Sequence, residues 1–396
     1  MRAATRDGMW IVVAVSFAVA HQPPGLLVRA GEPPADPRSD PEWVRARYGG
    51  WGGPGVDPEP GPMDSVTVRD YAPRSSLAIP ETVVARAKFP AIDAHAHVLA
   101  RTPAEVAEWV RTMDEVGIET TVVLTGATGA AFDRLVELYL RLHPRRFVLF
   151  CGLDTRDPAA ADYPRRVVAE LARCHAAGAR GVGELTDKGF GLTRDAGLAP
   201  ADRLHADDPR LEPFWKECGE LRMPVSLHVA DHPSAWKPLD VYQERTPDFQ
   251  GFSLHGKNGA SWEELLERRD RLLARHRDTV FIACHLGNQG HDLAALDAAL
   301  EAHPNLYVDI SARDYEIGRT PRASGRFLAR RHDRVLFGTD MGREPGMYRA
   351  WWRLLETADE YMPGRVLWRY YGLDLPDATL ESLYRGTAAR LLDLGR

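Results

Sequence analysis

The feature that most constrains this chain is a repeated pattern of texture. From Phe89 onward, short apolar runs alternate with longer stretches whose apolar residues recur at helical spacing. Runs at 91–94, 120–124, 147–153, 181–185, 225–228, 280–285, 306–310 and 335–337 predict eight strands. The segments 103–117, 131–142, 161–177, 211–222, 261–277, 292–302, 321–332 and 346–357 read as helices. Breakers such as Gly117, Pro144, Gly178, Pro224 and Pro304 stop several of them before the next strand. Strands that alternate with crossover helices form a parallel sheet covered by those helices. Eight such units in about 300 residues predict an α/β fold of the TIM-type (β/α)8 barrel kind. A doubly wound open sheet is the structural alternative. It would place a glycine-rich phosphate turn after its first strand, and here that turn holds His-Ala-His.

The residues before the barrel read differently. Arg2 and Arg6 precede an apolar run, Met9 to Ala20, that ends in Ala18-Val19-Ala20. A basic start, a short apolar stretch and a small-x-small end predict a signal peptide over 1–20 and export to the periplasm or beyond. The run is too short to span a bilayer as a mature helix, so no stable membrane insertion is expected once it is removed. Residues 21–80 are rich in Pro, Gly and charge and read as a linker or irregular N-terminal extension, with Trp43, Tyr48 and Trp51 as contact points. The barrel itself is assigned to 81–396. The net charge of −6 comes with no clustered Lys and Arg, which excludes nucleic acid as an expected partner. Cys151, Cys174, Cys218 and Cys284 form no CxxC pair and read as small buried residues.

Chemistry concentrates at the strand ends. In Ile92-Asp93-Ala94-His95-Ala96-His97, alternate side chains of an extended segment share a face, so His95 and His97 can point together into the barrel mouth. Strand five ends at His228, strand six at His285 and strand eight at Asp340. A barrel keeps its active site at these C-terminal ends, and imidazoles with a carboxylate suit a divalent transition metal. Strand four ends in Gly-Val-Gly-Glu-Leu, which adds Glu184. After strand seven, Arg313 and Arg319 could clamp a substrate carboxylate. Asp309 lies within that strand and reads as a support for ligands. The long loop from His232 to Ala260 reads either as a lid or as a surface excursion with its own small core.

The motifs FPAIDAHAH, SLHVADHP, FIACHLGN, NLYVDIS, LFGTD and the terminal LPDATLESLYRGTAARLL resemble the amidohydrolase superfamily, in particular the amidohydrolase-2 branch. That branch includes metal-dependent decarboxylases. Thr387 stands where the family helix usually has Asn. The resemblance implies His95, His97, His228 and Asp340 around one or two divalent ions, zinc foremost. It implies a catalytic or second-ion role for His285, and in some relatives an acid at the position of Glu184 bridges two ions. Lys188 lies just beyond that strand, as a neighbour for Glu184.

These residues predict a metal-dependent hydrolase of a small molecule bearing an amide, lactone or ester. Imidazole-bound metal lowers the pKa of its water to about 7 in the best zinc cases. Asp340 would take the water's proton and pass it to the leaving group, and His285 would stabilise the oxyanion or donate a proton. A decarboxylase on the same barrel is the first alternative, favoured by a carboxylate clamp. A bridging Glu184 with two ions would favour hydrolysis. A non-catalytic binding protein of the cell envelope is the second alternative.

Overall fold

The computed structural model describes residues 61–396 apart from 63, 68, 69, 73, 241, 242, 246–250, 367 and 396. The expected signal peptide, most of the extension with Trp43, Tyr48 and Trp51, and Tyr242 and Phe249 of the long loop lie outside the described residues. Residues 1–77 and 78–396 form separate units, and the second contains the barrel.

Eight parallel strands follow one another around the sheet in chain order: β1 (Ala91–Ala96), β2 (Ile118–Leu124), β3 (Phe147–Cys151), β4 (Gly181–Asp187), β5 (Val225–Val229), β6 (Phe281–Ala283), β7 (Leu306–Asp309) and β8 (Val335–Leu336). The ring closes through backbone bonds from the end of β8 to β1. Ala94 N–H donates to the Phe337 carbonyl at 2.9 Å, and Asp340 N–H to the His95 carbonyl at 2.8 Å. Gly338 permits this approach, because a Cβ there would lie 2.8 Å from His95 Cβ. Between the strands run α1 (Pro103–Val116), α2 (Gly129–Leu135, continued by a π turn to Leu140), α3 (Tyr163–Ala177), α4 (Glu212–Glu220), α5 (Trp262–Arg275), α6 (Leu293–Ala302), α7 (Pro321–Arg331) and α8 (Pro345–Glu356). This is the TIM-type barrel, in the order the sequence predicts.

Local rules account for the helix ends. Thr102 and Glu105 form a capping box at the start of α1, Pro103 follows the cap, and Gly117 closes the helix in the left-handed conformation at φ 95°. The inner faces of α1 and α8 meet behind the strands. There Trp352 is fully buried, packs 4.9 Å from the Phe337 ring and 5.0 Å from the Tyr384 ring, and donates to the Val116 carbonyl at 3.0 Å. Trp351 is buried beside it, so both tryptophans pack.

The largest departure from the expected strands is at 280–285, where β6 stops at Ala283. His285, Leu286 and Asn288 take φ values of 62°, 55° and 55°. Three left-handed residues cannot continue a strand, so the chain turns sharply and carries the His285 side chain under the end of the barrel. All four cysteines are buried and free. Truncating Trp352 to Ala is expected to cost about 3–5 kcal/mol, read as a lower urea midpoint with an unchanged slope.

Candidate metal centre

The strand ends bring six of the eight singled-out side chains into one space. His97 Nε2 lies 3.0 Å from Asp340 Oδ1 and 3.6 Å from Glu184 Oε2. His95 Nε2 lies 3.7 Å from Asp340 Oδ1 and 4.0 Å from Glu184 Oε1. On the far side of the same carboxylate, His228 Nδ1 is 2.6 Å and His285 Nε2 is 3.4 Å from Glu184 Oε1. Two triads, His95–His97–Asp340 and Glu184–His228–His285, each keep their donor atoms within 4.8 Å of one another.

The donor set fits a divalent ion. Ligand atoms about 2.0–2.2 Å from a metal stand roughly 3–3.5 Å apart, close to the separations found here. His95 has no exposed surface, and its Nε2 has no hydrogen-bond partner among the described residues. An imidazole nitrogen in that position costs free energy unless something meets it, and a cation would. Glu184 orients His228 through Nδ1, which leaves the buried His228 Nε2 also without a partner.

Electrostatics follow from this crowding. Burial pulls the His95 imidazole down, but Asp309, Asp340 and Glu184 outweigh it and hold the group at about 9. His228 goes the other way, to about 4, because burial and the neighbouring His285 both disfavour a second positive charge. Burial pushes the Glu184 carboxyl up, yet His228, His285 and His95 hold it well below the usual carboxylate range. Asp340 is also lowered, with burial opposed by the hydrogen bond from His97 and by nearby imidazoles.

Asp93 braces the centre from behind. It is fully buried, its Oδ1 accepts from the N–H groups of His95 at 3.2 Å and Thr339 at 3.0 Å, and its Oδ2 accepts from Thr339 Oγ1 at 2.8 Å and Tyr348 OH at 3.0 Å. One carboxylate thereby fixes the ends of β1 and β8 together. Burial raises it to about 6. The quoted motif contained Asp93, but nothing in the spacing marked it as a brace.

A cleft of about 450 Å³ opens onto the cluster, with His97, Glu184, His228 and Asp340 in its floor and Thr125, Thr186, Lys188 and Arg194 among its walls. The two arginines expected at the mouth do not line it. Arg313 is buried, donates to Asn288 Oδ1 and to the Ala312 carbonyl, and stands 3.9 Å from Asp231. Arg319 pairs with Glu244 at 2.8 Å and Glu316 at 3.1 Å and lies over the Trp368 ring. Glu316 and Glu244 therefore claim Arg319, while Asn288 and the Ala312 carbonyl hold Arg313. Lys188 faces Asp231 at 2.7 Å rather than Glu184. Arg194, in the loop after β4, carried no signal in the sequence, and among the described residues it makes no ion pair. In the long loop, Ala235 and Leu254 form a small apolar core with Phe190, Trp236 and Phe252. A larger groove of about 540 Å³, against α8 near Val83 and Met347, contains none of the clustered groups.

The family described as Amidohydrolase matches residues 92–394. The chain belongs to the amidohydrolase family, an enzyme family whose members bind divalent metal. Gamma-resorcylate decarboxylase of Rhodococcus jostii (strain RHA1) is 32% identical over 221 residues, a stretch covering 51% of this chain and 60% of that protein, less than two thirds of its length. Among solved structures, a 2,6-dihydroxybenzoate decarboxylase complexed with 2,6-dihydroxybenzoate is 21% identical with a TM-score of 0.48, covering 78% of this chain and 99% of its own. A 5-carboxyvanillate decarboxylase from Novosphingobium aromaticivorans complexed with manganese is 14% identical with a TM-score of 0.48, covering 77% of this chain and 96% of its own. Among the described residues no helix is long and apolar enough to cross a membrane.

Because a proton on His95 must leave before a metal can bind there, ion uptake by metal-free protein is expected to strengthen by about tenfold per pH unit between about 7 and 9. Titration calorimetry in buffers of different ionisation heat would show the released proton. Replacing Asp309, which bonds His95 Nδ1 at 2.9 Å, by Asn is expected to weaken metal affinity about 10–100-fold.

Proposed function

We propose that this protein is a metal-dependent decarboxylase of a small carboxylic acid, with hydroxybenzoates as the first substrates to try. The observation that carries the reading is the 32% identity to gamma-resorcylate decarboxylase. It displaces amide, lactone or ester hydrolysis as the leading expectation. Arg194 supports it, since it lines the cleft above His97 and Asp340 and makes no ion pair among the described residues, so its charge is open to an entering acid, whereas Lys188 is held by Asp231 at 2.7 Å.

In this reading His95, His97 and Asp340 hold the ion, with Glu184 and His228 beside them. A divalent ion held there supplies positive charge that binds and polarises the substrate's oxygens. Zinc is the ion proposed, because imidazole and carboxylate donors suit it, and the same donors accept manganese. The carbon–carboxylate bond breaks, carbon dioxide leaves, and the electron pair left on carbon takes up a proton. His285 is the proposed proton carrier, with Nε2 turned toward Glu184 at 3.4 Å and Asp340 at 3.8 Å. Asp340 holds His97 in place and can accept a proton from a substrate hydroxyl.

Hydrolysis stays as a second reading because of one observation. Glu184 directs Oε2 to His97 and Oε1 to His228 and His285, which is the placement of a carboxylate shared by two ions. Metal analysis separates the readings: about one ion per chain accompanies decarboxylation and about two accompany hydrolysis. Purified protein incubated with 2,6-dihydroxybenzoate and related acids is expected to release carbon dioxide, followed as dissolved gas from carboxyl-labelled substrate. Turnover of a lactone or amide panel without any carbon dioxide would overturn the reading. Changing Arg194 to Gln is expected to raise KM about tenfold, with kcat nearly unchanged. We also propose export directed by residues 1–20, checked by whether protein recovered outside the cytoplasm begins just after Ala20.

A further inference from the structure

Asp309 and Ser311 lie at the end of β7, both buried, between His95 and His285. Asp309 Oδ2 faces His95 Nδ1 at 2.9 Å. Its Oδ1 accepts from the N–H groups of His285 at 2.8 Å and Ser311 at 3.1 Å. The Ser311 hydroxyl also donates to that Oδ1. A hydroxyl has a single proton. With that proton committed to Asp309, Ser311 Oγ has only lone pairs left. It stands 3.1 Å from His95 Nδ1 and 2.9 Å from His285 Nδ1. The Ser311 carbonyl is a second acceptor for His285 Nδ1, at 2.9 Å.

Every group facing the two Nδ1 atoms is therefore an acceptor. Both rings must carry their proton there, and in a neutral imidazole the other nitrogen is then bare. In each ring that other nitrogen is the Nε2 directed at Glu184 and Asp340, and a bare His285 Nε2 also suits His228 Nδ1, which stands 3.2 Å from it. A carboxylate oxygen and a hydroxyl thus serve two strand ends at once, and they lie on the side of the rings away from the cleft.

We propose that Ser311, oriented by Asp309, is a positioning residue that ties His285 to His95, fixing one tautomer and one ring orientation, so that His285 exchanges its proton only at Nε2. The kinetic consequence rests on the reading of His285 as proton carrier, whereas the tie itself is independent of any substrate. Removing the hydroxyl leaves His95 bonded to Asp309, so the metal stays while His285 loses one of its two Nδ1 acceptors.

The test uses metal-loaded full-length protein labelled with ¹⁵N at histidine. In the wild type, His285 is expected to show a protonated Nδ1 that exchanges slowly with water. In Ser311→Ala, metal content and circular dichroism are expected to stay unchanged while exchange of that proton accelerates about tenfold or more. In the same variant, kcat for carbon dioxide release is expected to fall about 10–100-fold, with KM within about twofold. Ser324→Ala, which removes another buried hydroxyl, 3.0 Å from Thr320 Oγ1 in α7, should change neither. Wild-type exchange and wild-type kcat in Ser311→Ala would overturn the proposal, as would loss of metal from that variant, which would make the hydroxyl a general prop of the centre. Should no acid in the panel be turned over, the exchange measurement still decides the matter.

Discussion

Four imidazoles and three carboxylates share one space at the end of the barrel, and the rest of the site depends on how their charges alternate. A buried carboxylate without a partner would cost several kcal/mol. Here each has one: Asp309 meets His95, Glu184 meets His228, and Asp340 meets His97. The alternation also explains the opposed behaviour of neighbouring histidines. His95 sits among acids and holds its proton, whereas His228 sits against another imidazole and gives it up. A divalent ion in this space would continue the same pattern, replacing protons on nitrogen with positive charge held between nitrogen and oxygen donors.

Such a cluster can exist only if the backbone delivers its members within a few tenths of an ångström, and the barrel does this by closing on itself. The contact between β1 and β8 is the critical seam. Gly338 has no side chain, so β8 can come up against His95, and Asp93 ties the two strand ends through two hydrogen bonds from Thr339 while also accepting from His95 N–H and from Tyr348 on α8. Two strands before β8 in the ring, the left-handed turn after β6 redirects His285 toward the centre. The cleft above is floored by the cluster and has Arg194 in its wall, the charge on which the proposed acid substrate rests. Glu184 stands between the two triads of possible ligands.

The barrel was legible because its signal is periodic and long. Eight strand runs and eight helix runs each repeat a rule that depends on neighbouring residues alone, and breakers such as Gly117 and Gly178 sit at the helix ends where left-handed φ is needed. The histidines and Asp340 were legible because each ends an apolar run, and a run's end is visible in one dimension. Arg313 and Arg319 were placed at the mouth by their order after β7, but a long side chain goes to the nearest partner: Asn288 for Arg313, and for Arg319 Glu316 three residues away together with Glu244 from the long loop. Arg194 was invisible for a related reason. It lies in an irregular loop, where no period links position to direction.

Local physics, written into the order of residues, therefore determined the strands, the helices, their alternation and the set of metal-ligating residue types at the strand ends. Tertiary structure alone decided which nitrogen of each imidazole faces the centre, which cations reach the cleft, and that Asp93, Asp309 and Ser311 brace the cluster. The physical reason is one of range. Helix and strand formation are settled by residues a few positions apart, whereas the direction of a side chain and the partner of a buried charge are settled by atoms that folding brings together from more than two hundred positions away, as it does for His95 and Asp309.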